Sequence, residues 1–205
     1  MEIRPDDRSA REMYKLMIGT IVPRPIAWVT TCDQSGTVNL APFSFFNGVC
    51  SSPPTVSLSF SWTPDTSDHA KDTLHNIRAT RELVINIVSE PHAVAMNATS
   101  ARLPRGESEL SEAGLDPTSP QTGSTPRIAG APVCFECAFD REVAVGAGPG
   151  SATLVLATVR HVHVDDALID ENLYIDVERL APVGRLAGNQ YCRLGEIFSL
   201  DRPIR

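Results

Sequence analysis

Apolar and polar residues alternate along much of this chain, and alternation with a period of two is typical of a half-buried β-strand. In Val56–Trp62 the apolar side chains fall on one face and three serines fall on the other. Similar patterns predict further strands at Pro25–Cys32, Thr37–Phe43, Glu82–Val88, Val133–Val145, Ala152–Val164 and Glu196–Leu200. An open strand face usually carries charge, so a face made wholly of serine indicates a polar, tightly packed neighbour.

Helical patterns are few. Ser9–Ile18 predicts a short amphipathic helix capped by Ser9 or Asp7, and Pro91–Ala101 has proline at a suitable first helical position. Asp68–Thr80 predicts a third helix, capped by Ser67 or Asp68. Many strands joined by hairpin turns, with few helices between them, predict a mainly β fold, either an antiparallel barrel or a sandwich. The length of 205 residues predicts a single domain spanning 1–205.

Residues 102–132 interrupt this pattern. The segment is rich in Ser, Gly, Pro and Thr, and its middle is almost free of apolar side chains. Loops of this length without structure are uncommon and are usually functional covers or disordered. We expect a mobile loop insertion that covers the site and stays outside the core, so that replacing 114–125 would leave thermal stability almost unchanged.

Charge and composition exclude several classes of protein. Lys plus Arg is 18 and Asp plus Glu is 25, a net charge of −7 that argues against a nucleic-acid partner. Apolar runs fall far short of the ~20 residues that span a bilayer, and the charged first residues lack the apolar core of a secretory signal. We therefore expect a cytoplasmic protein with no membrane partner. The five cysteines show no disulfide spacing, which fits a reducing compartment.

The common catalytic and metal-binding motifs are not found in the sequence. Cys134 and Cys137 lie three apart on a predicted strand, so their side chains should point to opposite faces and cannot share a disulfide or a metal. His161, His163 and Asp165 share a face, yet nothing in the sequence brings the other histidines near, and we predict no metal site. The glycine-rich run Gly146–Gly150 joins two strands and is interpreted as a hairpin tip. With no nucleophile elbow and no triphosphate-binding loop, no catalytic side chain is predicted.

Three segments are more informative. Ile21–Thr31 places Arg24 between two prolines just before a strand, and Asn39–Asn47 packs small, aromatic and polar residues after a strand. Ser67–Ile77 begins a helix with Lys71 and Thr73 near its start. Unpaired N–H groups and the positive end of the helix dipole could hold one phosphate there. The alternative interpretation of this third segment is a solvated amphipathic helix.

Together with Tyr191–Pro203, these segments resemble the flavin reductase-like family of FMN-binding split barrels. The resemblance covers nearly the whole chain in the right order. It implies a six-stranded antiparallel split barrel with flanking helices, usually a homodimer with FMN near the subunit interface.

The resemblance also implies cofactor-binding residues. It places Asn39, Ser44, Phe45 and Asn47 along the flavin ring and ribityl chain, and Ser59 and Ser61 on a strand bordering the cofactor. It places Lys71, Asp72 and Thr73 at the helix start near the phosphate, with Arg24 at a further motif position. The serine face then has a reason, because small hydroxyls allow close approach of the flavin and supply donors.

Two functions remain open. The first is an NAD(P)H:flavin oxidoreductase in which FMN accepts hydride from NADH or NADPH and reduced flavin supplies a partner monooxygenase or another acceptor. The second is an FMN-holding electron carrier, or flavin-binding module, without its own nicotinamide site. Many two-component flavin reductases carry Gly-Asp-His at the last long hairpin, whereas this chain has Gly150, Ser151 and Ala152 there. That departure favours the carrier, and a plain structural module would leave the serine face unexplained.

Overall fold

A seven-stranded antiparallel sheet dominates the computed structural model, which describes residues 1–64, 66, 69–104 and 106–203. Its strand order is β2-β1-β5-β8-β9-β4-β3, and two short two-stranded ladders, β6–β7 and β10–β11, lie apart from it. The strands of the sheet and the ladders are β1 (Ala27–Cys32), β2 (Val38–Phe43), β3 (Phe46–Ser51), β4 (Pro54–Ser61), β5 (Glu82–Ile87), β6 (Pro117–Thr118), β7 (Arg127–Ile128), β8 (Val133–Val145), β9 (Ala152–Val164), β10 (Gly184–Arg185) and β11 (Tyr191–Cys192).

The predicted hairpins are confirmed. Asp33 accepts from the backbone N–H groups of Ser35 and Thr37 at 2.8 and 2.9 Å, which closes the turn between β1 and β2. The glycine-rich run joins β8 to β9, whose register runs from Val133↔Val164 to Val145↔Ala152. β3 is a strand that the sequence pattern did not predict; it pairs with β4 at one edge of the sheet.

The inner face of the sheet carries the larger core. Val56, Leu58 and Phe60 of β4 are buried there, which confirms the predicted alternation of that strand. A second core on the other face holds Trp28, Leu40 and Met96. Cys137 belongs to the first core and Cys134 to the second, so the prediction that these cysteines face opposite ways is confirmed. Burial raises the pKa of Cys134 to about 11 and that of Cys137 to about 12, so both stay protonated thiols.

The helices are short and flank the sheet. Ser9 caps the first of them and forms a capping box with Glu12, as the sequence predicted. The helix predicted over Asp68–Thr80 begins at Asp72, and the suggested caps Ser67 and Asp68 lie outside the described residues. The segment from Pro91 contains a 3₁₀ turn followed by a single short helix. The helices are α1 (Ala10–Thr20), α2 (Asp72–Thr80), α3 (Ala93–Ala98), α4 (Glu109–Ala113) and α5 (Val177–Leu180).

Residues 102–132 correct an expectation. The segment was expected to stay outside the core, but α4 and β6–β7 form within it, and Leu110 and Ile128 are buried in the second core. Thr125 and Arg127 are buried as well, at 2% and 7% exposed. The prediction that this segment lies apart from the core is therefore wrong, because it supplies much of the layer that covers the second face of the sheet.

Two carboxylates hold the polar middle of this segment. Glu136, 1% exposed, accepts from the backbone N–H groups of Gln121 and Thr122 at 2.8 and 2.6 Å and pairs with Arg127 at 3.6 Å. Glu82 accepts from the backbone of Ser124 at 2.8 Å. The segment's N–H groups thus bond to anions on the sheet, so its lack of apolar side chains does not prevent it from packing.

The predicted strand at Glu196–Leu200 is wrong. Those residues have no regular secondary structure and are exposed. Within the part of the chain that is described, no helix is long and apolar enough to cross a membrane.

We predict that Glu136→Gln lowers the free energy of unfolding by about 3 kcal/mol, because it breaks a buried ion pair and weakens the loop's acceptor. Glu142→Gln, which breaks the half-exposed pair with Arg78 at 3.0 Å, is the matched control and should cost about 0–1 kcal/mol. Urea unfolding at neutral pH measures both. Equal losses in the two variants would contradict the role given to Glu136.

The pH dependence gives a second check on Glu136. Burial alone would raise the pKa of this carboxyl, but hydrogen bonds from Gln121 and Thr122, with the nearby His161, lower it overall. A carboxyl with a lowered folded-state pKa adds stability above its unfolded pKa, about 4.3, and loses that contribution as the pH falls through the folded value. The difference in free energy of unfolding between wild type and Glu136→Gln should therefore become smaller below about pH 4.

Candidate functional site

Two adjoining cavities form one groove along β2 and the start of α2. They share Pro42, Lys71 and Ser100 and measure about 520 and 450 Å³. We call the first cavity the cationic end and the second the aromatic end. The cationic end is lined by Asn39, Ala41, Pro42, Thr63, Thr66, Lys71, Asp72, Thr73, Thr99, Ser100, Ala101, Arg102, Leu103 and Glu109.

Lys71 and Arg102 give the cationic end its charge. Lys71 is the N-cap residue of α2 and provides no side-chain cap for the helix's N–H groups, so the positive end of the helix dipole faces the same space. The groove removes water from the ammonium, although the residue is exposed overall, and this desolvation lowers the pKa of Lys71. Repulsion from Arg102 lowers it further. Two cations that disfavour each other here would both be stabilised by an anion.

Polar and acidic side chains border this end. The Asn39 amide donates to the Thr73 hydroxyl at 2.9 Å and fixes both against the groove. The carboxylate of buried Glu109 accepts from the Leu40 backbone at 2.8 Å. Burial raises the pKa of Glu109, and nearby Asp72 acts in the same direction, while the hydrogen bond from Leu40 opposes them.

A further cavity of about 680 Å³ lies next to the cationic end and shares Asn39, Asp72, Leu103 and Glu109 with it. Its walls add the carboxylates of Asp33 and Glu107, along with His75 and Arg78. This further cavity therefore carries charges of both signs: Arg78, which pairs with Glu142 at 3.0 Å, lies among a larger number of carboxylates.

The aromatic end has a different chemistry. Phe43 lies in its wall, with Lys71 Nζ 5.3 Å from the ring centroid, and Arg185 lies over Tyr191 at 4.4 Å. Flat apolar walls with a few cationic edges suit a planar conjugated ring. The aromatic end is lined by Tyr14, Ile18, Arg24, Ile26, Pro42, Phe43, Ser44, Lys71, Met96, Asn97, Ser100, Arg185, Leu186, Gly188, Asn189 and Tyr191.

Arg24 joins the elements around the aromatic end. Its guanidinium, on a residue only 4% exposed, donates to the carbonyls of Ile18 and Ile21 at 2.7 and 2.8 Å and to that of Leu186 at 2.9 Å. It also donates to the Ser44 hydroxyl at 3.3 Å. Burial, and then the nearby Arg185, lower the pKa of Arg24, but a guanidinium stays charged in proteins. Arg24 thus fixes α1, the bend after β2 and the β10–β11 hairpin to one another.

The structure brings together most of the residues singled out from the sequence. Asn39, Lys71, Asp72 and Thr73 line the cationic end, and Arg24 and Ser44 line the aromatic end. Phe45 follows Ser44 in the chain, and its ring lies 6.5 Å from that of Tyr14 and 5.9 Å from the Arg24 guanidinium.

Phe45 and three further predicted residues lie outside the groove lining. Asn47, Ser59 and Ser61 belong to β3 and β4, on the side of the sheet opposite the inner core. There Ser57 and Ser59 pair with Leu156 and Leu154 of β9. The serine face is therefore continuous with leucines and, beyond them, with Arg141, Val143 and Val145 of β8. We call this surface the outer patch: Ser57, Ser59, Ser61, Leu154, Leu156, Arg141, Val143 and Val145.

Sequence reasoning missed several groove residues. Arg102 is the clearest, since the sequence predicts it as the first residue of a covering loop, and Met96 was not singled out. Ala41 and Pro42 lie within the segment Asn39–Asn47 but were not named as site residues. Tyr191 was noted only within a closing motif. The available signal for Arg102 was its position directly after the predicted helix Pro91–Ala101, where a cation can face a neighbouring helix start.

Comparison with known proteins identifies relatives along the whole chain. The flavin reductase-like domain model matches residues 18–183. The Bacillus subtilis protein YwrF is 41% identical over 201 residues, covering 97% of each chain.

Among solved structures, nitrilotriacetate monooxygenase component B from Bacillus cereus is 35% identical, with a TM-score of 0.92 and 98% of each chain covered. The 2-nitrobenzoate 2-nitroreductase NbaA of Pseudomonas fluorescens is 31% identical, with a TM-score of 0.88, covering 99% of this chain and 96% of that one.

We predict that Arg24→Lys destabilises the protein even without any ligand. A lysine ammonium cannot reach four acceptors in the guanidinium's fork geometry, so we expect a loss of about 2–4 kcal/mol. Arg141→Lys, at a side chain 70% exposed, is the control and should change stability by less than about 0.5 kcal/mol. Chemical unfolding of ligand-free protein measures the stability of both variants. An Arg24→Lys variant as stable as wild type would contradict the structural role given to Arg24.

Proposed function

The chain belongs to the flavin reductase-like domain family, and from this premise we propose that it is an FMN-binding NAD(P)H:flavin oxidoreductase. It would take hydride from NADH or NADPH and supply reduced flavin to a partner oxygenase or another acceptor. The observation that carries the proposal is the groove, which has a cationic end and an aromatic end joined through Pro42, Lys71 and Ser100.

The cationic end suits a single phosphate. Lys71 and Arg102 supply charge, the start of α2 supplies N–H groups, and Thr73 supplies a hydroxyl. The lowered pKa of Lys71 supports this, because desolvation and Arg102 disfavour its charge and a bound phosphate would restore it. The neighbouring cavity adds the carboxylates of Asp33 and Glu107, and its Arg78 is paired with Glu142, so a second phosphate would be repelled there and a mononucleotide is favoured over a dinucleotide.

The aromatic end suits the flavin ring. Pro42, Phe43 and Met96 offer apolar surface, while Ser44 and Asn97 offer polar groups at its margin. Bound FMN would supply reversible two-electron chemistry, which the protein need only orient. The proposal assigns no side chain as an acid or base: Lys71 and Arg102 hold the phosphate, and Arg24 keeps the walls in place.

The names of the similar proteins indicate which classes of electron acceptor to consider. One is named as component B of a monooxygenase, and the other as a nitroreductase acting on 2-nitrobenzoate. Both names are compatible with a flavoprotein that passes electrons onward, either to a partner oxygenase or to a small aromatic acceptor. For this chain both acceptor classes remain within the proposal.

A second candidate is an FMN-holding electron carrier, favoured by the absence of Gly-Asp-His at Gly150–Ala152. The two functions differ in an anaerobic test on the FMN-loaded protein. Bleaching of the flavin absorbance by NADH or NADPH at a catalytically useful rate supports the reductase. A flavin that dithionite reduces but neither nucleotide reduces would overturn the reductase and leave the carrier.

We also propose that the protein acts as a homodimer. The outer patch carries serines, leucines and valines, and Val143 and Val145 are 48% and 55% exposed. A second copy covering this sheet surface, which carries one cation, Arg141, beside Leu156, would also bring Ser59 and Ser61 near the subunit interface, where the family resemblance expects FMN. Sedimentation of the FMN-loaded protein tests this, and a monomer mass near 22.2 kDa would reject it.

We predict that Lys71→Ala weakens FMN binding by ~1.5–3 kcal/mol, the cost of losing a hydrogen bond to a charged group. Lys15→Ala, at an exposed position on α1 away from the groove lining, is the matched control and should leave affinity unchanged. Fluorescence titration measures both. Riboflavin, which lacks the phosphate, should bind the Lys71→Ala variant with the same affinity as wild type. If riboflavin loses as much affinity as FMN does, Lys71 does not contact the phosphate.

A further inference from the structure

The aromatic end of the groove carries positive charge and no negative charge. Its lining includes Arg24, Lys71 and Arg185, and none of the described residues in that lining is Asp or Glu. The whole chain, by contrast, has a net charge of −7, and the cavity of about 680 Å³ next to the cationic end has four carboxylates in its walls. The excess of positive charge is therefore local, and it suits a planar ligand that carries negative charge on its ring.

Two of these three cations already have a task. Arg24 directs its guanidinium at three backbone carbonyls and the Ser44 hydroxyl, so its hydrogen bonds hold the walls together. Lys71 also lines the cationic end, where the proposed function assigns it to the phosphate. Arg185 is therefore the cation of the aromatic end to which neither the fold nor the phosphate gives a role.

The guanidinium of Arg185 is held in place but keeps most of its donors free. It covers the ring of Tyr191 at 4.4 Å, and one of its N–H groups donates to the Gly188 carbonyl. Among the described residues it has no other side-chain hydrogen bond and no ion pair. A guanidinium has five N–H donors, so most of them are available to a ligand. The backbone fixes its origin, because Arg185 and Arg24 exchange N–H···O bonds at 2.8 and 3.0 Å.

Hydride transfer changes the charge of the ring that accepts the hydride. A hydride carries two electrons and one proton, so a neutral oxidised flavin that accepts it becomes an anion, while the neutral nicotinamide donor becomes a cation. A fixed cation in a cavity stabilises the anionic product more than the neutral reactant. Repulsion from Arg185 also lowers the pKa of Arg24, and an anionic ring in the same cavity would offset that repulsion.

We propose that Arg185 stabilises the reduced, anionic form of the flavin and thereby raises the reduction potential of bound FMN. This role rests on the FMN binding of the proposed function, and it applies to the reductase and to the electron carrier alike, since both hold reduced flavin. It does not require one particular edge of the ring to face Arg185, because the attraction depends on the added charge and its distance.

A redox titration of the FMN-loaded protein measures this role. Arg185→Gln removes the charge and keeps a polar side chain. We expect the variant to lose about tenfold more affinity for reduced FMN than for oxidised FMN, the effect of losing one hydrogen bond to a charged group. For a two-electron couple this lowers the potential by about 30 mV. The titration is run without oxygen against a dye of known potential, and an unchanged potential would overturn the proposal.

Two further variants separate the charge from the structure around it. Arg185→Lys keeps the charge and should retain most of the wild-type potential. A fall as large as that of Arg185→Gln would show that the contacts with Tyr191 and Gly188 matter and the charge does not. The matched control is Arg179→Gln, at a side chain 69% exposed on α5 and outside both groove linings. It should leave the potential unchanged, and a fall equal to that of Arg185→Gln would also overturn the proposal.

Fluorescence titration with oxidised FMN separates this role from the proposed function. A wild-type protein that binds no flavin would refute the proposed function and this role with it. If wild type and Arg185→Gln both bind FMN and share one potential, the role of Arg185 alone is refuted and the groove keeps its function. An equal loss of affinity for oxidised and reduced FMN would make Arg185 a general binding residue, which would also overturn the proposal.

Discussion

One constraint governs this structure: each apolar face of a β-sheet must be covered. A strand with apolar side chains on both faces therefore needs a covering layer on each side. β1 satisfies it on both sides, with all six of its residues buried, whereas β4 alternates between buried and open positions. The sheet is therefore covered on two faces near β1 and β5 and on one face near β4 and β3. The second core, which includes Met96, Leu110 and Ile128, is the layer that covers the additional face.

The groove lies at the border of that layer. Residues of β2 form one wall, the start of α2 forms another, and Thr99 to Leu103, between α3 and the covering segment, close it. A helix start beside a layer boundary leaves N–H groups and cations facing open space, which is the arrangement that a phosphate stabilises. The same boundary explains the neighbouring acidic cavity, because Glu109 enters the groove on α4 of the covering layer.

Period-two alternation and turn chemistry were enough to predict the long strands, the hairpins and the Ser9 cap, since these depend on near neighbours in sequence. The packing of 102–132 could not be predicted in that way. Its Ser, Thr and Gly residues resemble a free loop until Glu82 and Glu136, distant in sequence, accept from its backbone. Arg24 is a similar case: a lone cation between prolines suggests a ligand contact, yet its acceptors are mostly carbonyls of the chain itself.

The serines of β4 are compatible with two kinds of neighbour, a planar ligand or a second sheet. They were interpreted as a surface that allows close approach of a cofactor, and the structure places them on the outer patch beside Leu154 and Leu156. Small hydroxyls permit close approach by any partner, whether a planar ligand or a second sheet, and carry no charge that must be desolvated. A strand that faced only solvent would gain from Lys or Glu at these positions, which also discourage unwanted sheet contacts. The absence of charge at Ser57, Ser59 and Ser61 is what we expect of a surface that a second subunit covers in the proposed dimer.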